Sequence, residues 1–264
     1  MNRYLKSMLC TAALAAFSAP AAADTITFAG AGTTIGNGAP AQRVDVSAEA
    51  IFDISGDLLT VTLRNTSGPN NKTDTAKNTL TGVFWDLSGD PRLTTVSAQL
   101  ASGSSIYKSV ACSSTCDGAT DLSGEFGYQE RDFAGEADRG IASANYLQTG
   151  LQGNIGNFNN NGAGPNLDDP RNINGINFGI ISNAAGFNPN EALSNVPLVQ
   201  DAAVFTLRGV NGLTIADIAH VSFQFGTIES DFNLPANQVP EPLTGALLGV
   251  GLLGMAAVRR RRRA

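Results

Sequence analysis

The sequence is poor in the side chains on which most catalytic sites depend. Its 264 residues include a single histidine, His220, together with three cysteines and one tryptophan. A Ser-His-Asp or Cys-His site would have to use that histidine. The sequence contains no Gly-x-Ser-x-Gly elbow, phosphate-binding glycine loop or histidine-rich metal motif. We therefore expect a protein with no catalytic role of its own, in which His220 is a hydrogen-bonded structural residue.

Basic residues are scarce between the two ends of the chain. Of 17 lysines and arginines, two lie in the first 23 residues and five in the last six. Residues 24–258 therefore hold ten basic residues against 23 acidic ones, a net charge of −13. Such a surface repels nucleic acid and anionic lipid headgroups, and it suits solubility, divalent cations or a hydrated polymer matrix. We expect no nucleic-acid partner.

The acidic residues are densest in one stretch of the second half. Paired carboxylates there would allow glycosidic hydrolysis, but sequence spacing does not give the distance between carboxylates that this reaction needs. In so acidic a chain, a solvated charged loop is the interpretation that we favour. The stretch contains Glu125, Glu130, Asp132, Glu136 and Asp138.

The N-terminal segment has the pattern of a secretory signal peptide. Arg3 and Lys6 precede an apolar run over residues 8–17, and small residues at 19–23 follow it. These three parts are the basic region, the hydrophobic region and the cleavage region of such a peptide. We predict a signal peptide over residues 1–23, with cleavage between Ala23 and Asp24, and hence export.

Cysteine usage agrees with export. Cys10 lies in the signal peptide, which leaves Cys112 and Cys116 as a pair in Cys-Ser-Ser-Thr-Cys. We expect a disulfide between them in an oxidising compartment. Because it would close a very short loop, it would stabilise the folded protein only modestly. A zinc site is the alternative, but the pair has no neighbouring histidine or further cysteine to complete a tetrahedron.

Strand patterns dominate residues 24–238. Residues 58–64 resume the alternation of residues 43–54 after a turn at Ser55-Gly56-Asp57, which predicts a β-hairpin. Further strands are expected at 25–28, 80–87, 93–100, 203–207 and 221–225, and residues 150–195 are rich in asparagine and glycine, as in long loops. We predict an all-β fold, an antiparallel β-sandwich in Greek-key or jelly-roll style. In the predicted strand over residues 43–54, alternation is expected to bury one face. That face carries Val44, Val46, Ala48, Ala50, Phe52 and Ile54.

One loop has the ligand spacing of a twelve-residue calcium loop, with oxygens at positions one, three and five, glycine at six and a carboxylate at twelve. Asparagine replaces the leading aspartate, aspartate replaces the final glutamate, and no amphipathic helices flank it. We favour an irregular turn-rich loop without a bound ion. The alternative is a calcium site, in which calcium would be a cofactor of the protein. Its ligands would be Asn157, Asn159, Asn161 and Asp168.

The C-terminal segment has three parts in a fixed order. Val239-Pro240-Glu241-Pro242 is followed by an apolar run over residues 243–258 and then by arginines. As a helix the run would be about 24 Å long, short of a hydrocarbon core of about 30 Å. Arginines hold the end of such a helix on the cytoplasmic face, leaving the rest of the chain outside. The basic residues are Arg259, Arg260, Arg261, Arg262 and Arg263.

This ending resembles the PEP-CTERM sorting signal, in which a Pro-Glu-Pro motif, a short hydrophobic helix and an arginine cluster close the chain. The resemblance implies a Gram-negative exported protein that is tethered transiently to the inner membrane. It also implies processing by an exosortase, a membrane-embedded peptidase, and a surface or matrix destination linked to exopolysaccharide and biofilm. Two alternatives are an uncut membrane anchor and a sortase signal over residues 241–245, which lacks the leading leucine of Leu-Pro-x-Thr-Gly.

Strand phrases at 57–67, 80–87, 174–181 and 221–227 also resemble a β-rich group of PEP-CTERM proteins. We expect a structural surface or matrix protein with no cofactor. The alternative is a polysaccharide-binding module, in which exposed aromatic rings stack on sugars. The candidate rings are Trp85, Tyr107, Tyr128 and Tyr146.

Overall fold

The computed structural model has an all-β fold, as the alternation in the sequence predicted. It describes residues 24–35, 43–68, 73–74, 76–107, 120–123, 125–130, 137–143, 156–157, 178–184, 188–189, 193, 197–226 and 232–240. Within these ranges, no helix is long and apolar enough to cross a membrane. The hydrophobic helix predicted for residues 243–258 lies outside them.

In the part of the chain that the structure describes, the regular elements are β-strands and two 3₁₀ turns. The 3₁₀ turns are Ala76–Asn78 and Ile215–Asp217. The strands are β1 (Asp24–Ile35), β2 (Arg43–Ser55), β3 (Leu58–Asn65), β4 (Thr73–Asp74), β5 (Leu80–Leu87), β6 (Thr94–Leu100), β7 (Ser105–Tyr107), β8 (Gly127–Glu130), β9 (Arg139–Ala142), β10 (Gly156–Asn157), β11 (Ile180–Ile181), β12 (Asn188–Pro189), β13 (Leu198–Gln200), β14 (Ala202–Arg208), β15 (Ile218–Phe225), β16 (Phe232–Pro235) and β17 (Asn237–Val239).

The first sheet has the strand order β17-β1-β2-β3-β14-β6 and is antiparallel throughout. The predicted hairpin joins β2 to β3, and Gly56 turns the chain at a φ of +63°, which favours glycine. The alternation predicted for β2 is confirmed, because its apolar residues at even positions from 44 to 52 are buried and Ile54 is half-buried.

The second sheet is built around β5. Its main path runs β10-β8-β9-β5-β11-β13-β7, and β15 also pairs with β5 and carries β16. Residues 80–85 of β5 are all buried, so both faces of this strand are covered. The pairing of β11 with β13 is parallel, a departure from the purely antiparallel arrangement that we predicted. Such pairing requires a connection longer than a hairpin turn.

Aromatic rings fill the space between the two sheets. Phe28 and Phe52 of the first sheet lie edge to face at 5.9 Å, and Phe52 lies 5.6 Å from Trp85 of the second sheet. Trp85 in turn lies 6.2 Å from Tyr128. These residues belong to one continuous buried cluster drawn from both sheets, which makes the arrangement a sandwich with a single main core.

Candidate sorting site

The predicted sorting motif starts inside the first sheet. Its first residue, Val239, is the last residue of β17 and lies opposite Thr27 of β1 in antiparallel register. Pro240 is exposed and follows directly, so no linker separates the sheet from the Pro-Glu-Pro motif. Proline has no backbone N–H, which is why strand pairing ends there. Outside the described residues lie Glu241, Pro242, Arg259, Arg260, Arg261, Arg262 and Arg263.

β17 lies at the edge of the first sheet, and the chain reaches this edge from the second sheet. β16 pairs with β15, where Leu234 lies opposite Phe223 and is buried. The amide of Ala236 then donates a hydrogen bond of 2.9 Å to the carbonyl of Val221. One residue later the chain joins β1 as β17. The segment 232–239 therefore connects the two sheets along one side of the sandwich.

Two glycines of β1 make this crossing possible. A Cβ on Gly30 would meet the carbonyl oxygen of Pro235 at 2.8 Å, and a Cβ on Gly32 would meet Leu234 Cδ1 at 2.9 Å. Both distances are shorter than the contacts that side chains tolerate. The missing side chains thus let β16 pack directly on β1, with Leu234 covering them.

The two ends of the predicted mature chain meet at this edge. β1 begins at Asp24, the residue after the predicted signal-peptide cleavage. Because β17 runs antiparallel to β1 with Asn237 opposite Ala29 and Val239 opposite Thr27, its direction is toward the start of β1. The motif therefore leaves the domain close to the backbone of the predicted mature N-terminus.

A polar cluster that the sequence did not reveal lies at one end of the second sheet. Arg139 is completely buried, and its Nε and Nη2 donate to Asp138 at 2.7 and 3.1 Å. Its Nη2 also donates to Asp90 at 3.0 Å, and its Nη1 donates to the carbonyl of Pro91 at 3.0 Å. Burial lowers the pKa of Arg139, but the hydrogen bond to Asp138, together with the electrostatic interactions with Tyr128, Asp138 and Glu130, outweighs this effect and leaves the pKa above its ordinary value.

The same cluster includes two residues of the predicted acidic stretch, Glu130 and Asp138. Glu130 lies opposite Arg139 in register, accepts a 3.0 Å hydrogen bond from the hydroxyl of Tyr128 and accepts another from the amide of Leu93 at 2.8 Å. Burial raises the pKa of Tyr128 well above its usual value. Glu130 and Asp138 are therefore held by structural hydrogen bonds, whereas Asp132 and Glu136 lie outside the described residues.

The single histidine lies beside this cluster, at the surface. His220 has a φ of +47° where the register of β15 against β5 shifts, and its Nδ1 lies 2.5 Å from Asp86 Oδ2. The other carboxylate oxygen of Asp86 accepts a hydrogen bond from the amide of Asp138 at 2.8 Å. The hydrogen bond expected for this histidine is therefore present. His220 lies in the part of β15 where the pairing with β5 is irregular.

The aromatic candidates for sugar stacking do not form an exposed platform in the described residues. Trp85 and Tyr128 are buried in the core. Tyr107 is half-buried against a small second cluster, and Tyr146 lies outside the described residues. Burial of Trp85 and Tyr128 removes the ring faces that would stack on a sugar, which agrees with a structural role for these two residues.

The remaining predicted sites are only partly described. Asn157, the first residue of the calcium-loop candidate, belongs to β10 and lies opposite Gly127. Its other ligands, and the predicted disulfide, stay predictions because their residues fall outside the described ranges. These residues are Asn159, Asn161, Asp168, Cys112 and Cys116.

Comparison with known proteins identifies the C-terminal segment. The family model of the PEP-CTERM protein-sorting motif matches residues 238–263. No curated protein and no solved structure matches the chain. The matched region begins at Gln238, so it overlaps the last two residues of β17.

Proposed function

We propose, on the premise that this chain carries a PEP-CTERM protein-sorting motif, that it is a structural protein of the cell surface or extracellular matrix. The motif supports exosortase-targeted export with processing at the membrane. The destination in an exopolysaccharide or biofilm matrix, and a domain without catalytic activity of its own, are the further parts of this proposal.

The match over residues 238–263 is the observation that carries the proposal. Its parts have separate physical roles. Proline disfavours a helical backbone at the residue before it, so the two prolines predict an extended segment around Glu241, which suits binding in a peptidase cleft. The apolar run enters the membrane, and five arginines keep its far end in the cytoplasm, because charged guanidinium groups cross hydrocarbon at a high energetic cost.

The charge of the chain supports a matrix role. Residues 24–258 carry a net charge of −13, which keeps a protein dispersed in a hydrated polymer and away from anionic membrane surfaces. A continuous core shared by two sheets gives the domain a fixed shape. A scaffold needs these properties and no active site.

The decisive experiment follows the C-terminus of the protein in cells. The full chain is expressed in a Gram-negative host with and without its exosortase, and the mature C-terminus is determined by mass spectrometry. We expect loss of the arginine tail only when the exosortase is present. An intact tail in both strains would overturn the proposal.

A matched pair of variants makes the test specific for the motif. Glu241→Gln removes the carboxylate between the prolines, whereas Glu49→Gln removes a surface carboxylate that makes a weak 3.8 Å contact with Arg64. We expect Glu241→Gln to retain the tail and Glu49→Gln to be processed like the wild type. Equal processing of both variants would mean that the Glu241 carboxylate does not take part in recognition.

A further inference from the structure

We propose that β17 must separate from β1 before the sorting peptidase can bind the motif, so that this pairing controls processing. The inference rests on the proposed function and deepens it, because it assigns the folded domain a part in the reaction. The peptidase's substrate would then be a domain with an opened edge, not the tail alone.

The first argument is the overlap between motif and sheet. The family-model match begins at Gln238 and the predicted motif at Val239, and both residues are paired with β1, opposite Phe28 and Thr27. Peptide recognition in an extended form uses backbone N–H and C=O groups of the bound segment. Those groups of β17 that bond to β1 are not available to a peptidase until the strand separates.

The second argument is that β17 is built to separate alone. All three of its residues are exposed, and it forms one edge of the first sheet. The strand before it differs, because Leu234 of β16 is buried and packs on Gly30 and Gly32 of β1. Separation therefore stops near Ala236, whose amide is bonded to the carbonyl of Val221, and the rest of the domain stays folded.

The third argument concerns reach. With β17 paired, Pro240 leaves directly from the sheet, so the folded domain lies against whatever binds the motif. Releasing Asn237–Val239 adds about 10 Å of extended chain, at about 3.3–3.6 Å per residue. That length separates the body of the domain from a peptidase embedded in the membrane.

A disulfide across the pair tests the inference. Thr27 and Val239 are direct cross-strand neighbours, and such antiparallel pairs have Cα separations of about 4.5–5.5 Å, within the range of a disulfide. In the full chain, Thr27→Cys with Val239→Cys locks β17 to β1. We expect processing in cells containing the exosortase to slow by about tenfold or more, because the competent state is no longer populated.

Thr27→Cys alone should be processed like the wild type. The double variant kept reduced during growth is the reference for the lock, because it carries the same Val239→Cys change in the motif without the disulfide. A third arm keeps the lock and inserts Gly-Ser-Gly-Ser-Gly-Val before Pro240, which restores a free motif with its preceding valine. We expect this insertion to restore processing. The melting temperature of the locked protein should equal or exceed that of the wild type, which separates a blocked edge from a misfolded domain.

The outcomes separate the two proposals. A wild-type chain that keeps its arginine tail in cells with the exosortase defeats the proposed function. A processed wild type with a locked variant processed at the same rate defeats only the present inference. A locked chain that stays unprocessed even with the inserted segment also overturns it, because the block then does not arise from the missing reach.

Discussion

Replacing Gly30 by alanine tests whether the crossing segment depends on close packing against β1. The added Cβ would lie 2.8 Å from the carbonyl oxygen of Pro235 and 3.1 Å from Leu234 Cγ. The first contact is with backbone, so a rotamer change cannot relieve it. The segment 232–239 must therefore shift away from β1, which weakens both the packing of Leu234 and the pairing of β17.

The expected loss follows from two opposing effects. Overpacking a close contact costs about 1–3 kcal/mol. Alanine in place of glycine recovers about 0.4–1 kcal/mol through the lower entropy of the unfolded chain. The net result is a destabilisation of about 1–2 kcal/mol. For a domain of this size that lowers the melting temperature by about 2–8 °C.

The assay is thermal unfolding of the exported protein, followed by circular dichroism. Gly68→Ala is the matched control, because a Cβ on Gly68 would meet nothing within 4 Å. We expect the control to be as stable as the wild type or slightly more stable. If Gly30→Ala were as stable as Gly68→Ala, the packing of β16 on β1 would not be the contact that holds the C-terminal segment.

Three further predictions concern the edge strand and the buried cluster. In hydrogen exchange, the amide of Val239 should exchange at least about tenfold faster than that of Leu234, and equal rates would mean that β17 does not open alone. Arg139→Met should lower the free energy of unfolding in urea by about 3 kcal/mol, the low end for a broken buried pair because the Asp138 side chain is 36% exposed. Arg64→Met removes a partly exposed guanidinium, 39% exposed and 3.3 Å from Asp201, and should lower it by at most about 1 kcal/mol, so similar losses would refute the role of burial. Because the pKa of Tyr128 is raised on folding, stability should be retained below pH about 10 and fall as pH rises further. Tyr128→Phe should flatten that fall in unfolding experiments from pH 8 to 12, and an unchanged slope would contradict it.

The local pattern of the sequence predicted the first sheet well because local forces decide it. In β2, apolar residues alternate with polar ones over most of the strand, and Gly56 fits the turn that follows. β1 was expected only over residues 25–28 but extends from Asp24 to Ile35. Its second part contains small residues such as Gly30 and Gly32 instead of an apolar face, and these are small because Leu234 packs on them from a distant part of the chain.

The buried cluster around Arg139 also depends on contacts between distant parts of the chain, which the local sequence pattern does not predict. Arg139 looks like a surface charge in the sequence, and nothing nearby signals that its strand lies between β8 and β5. Its partners Asp90 and Pro91 come from a turn almost fifty residues earlier. The acidic stretch that includes Glu130 and Asp138 was interpreted as a solvated loop, but Asp138 pairs with the completely buried guanidinium of Arg139, and Glu130 accepts a hydrogen bond from the amide of Leu93.

The sequence by itself determined the all-β fold, the first hairpin and the sorting motif, because each depends on the order and spacing of neighbouring residues. Tertiary structure alone decided that the motif begins within a paired edge strand. The pairing of Val239 with Thr27 joins residues more than two hundred positions apart, and it exists because β16 is held against β1 by the burial of Leu234. No local pattern encodes that contact, since its partners meet only when the two sheets have packed together.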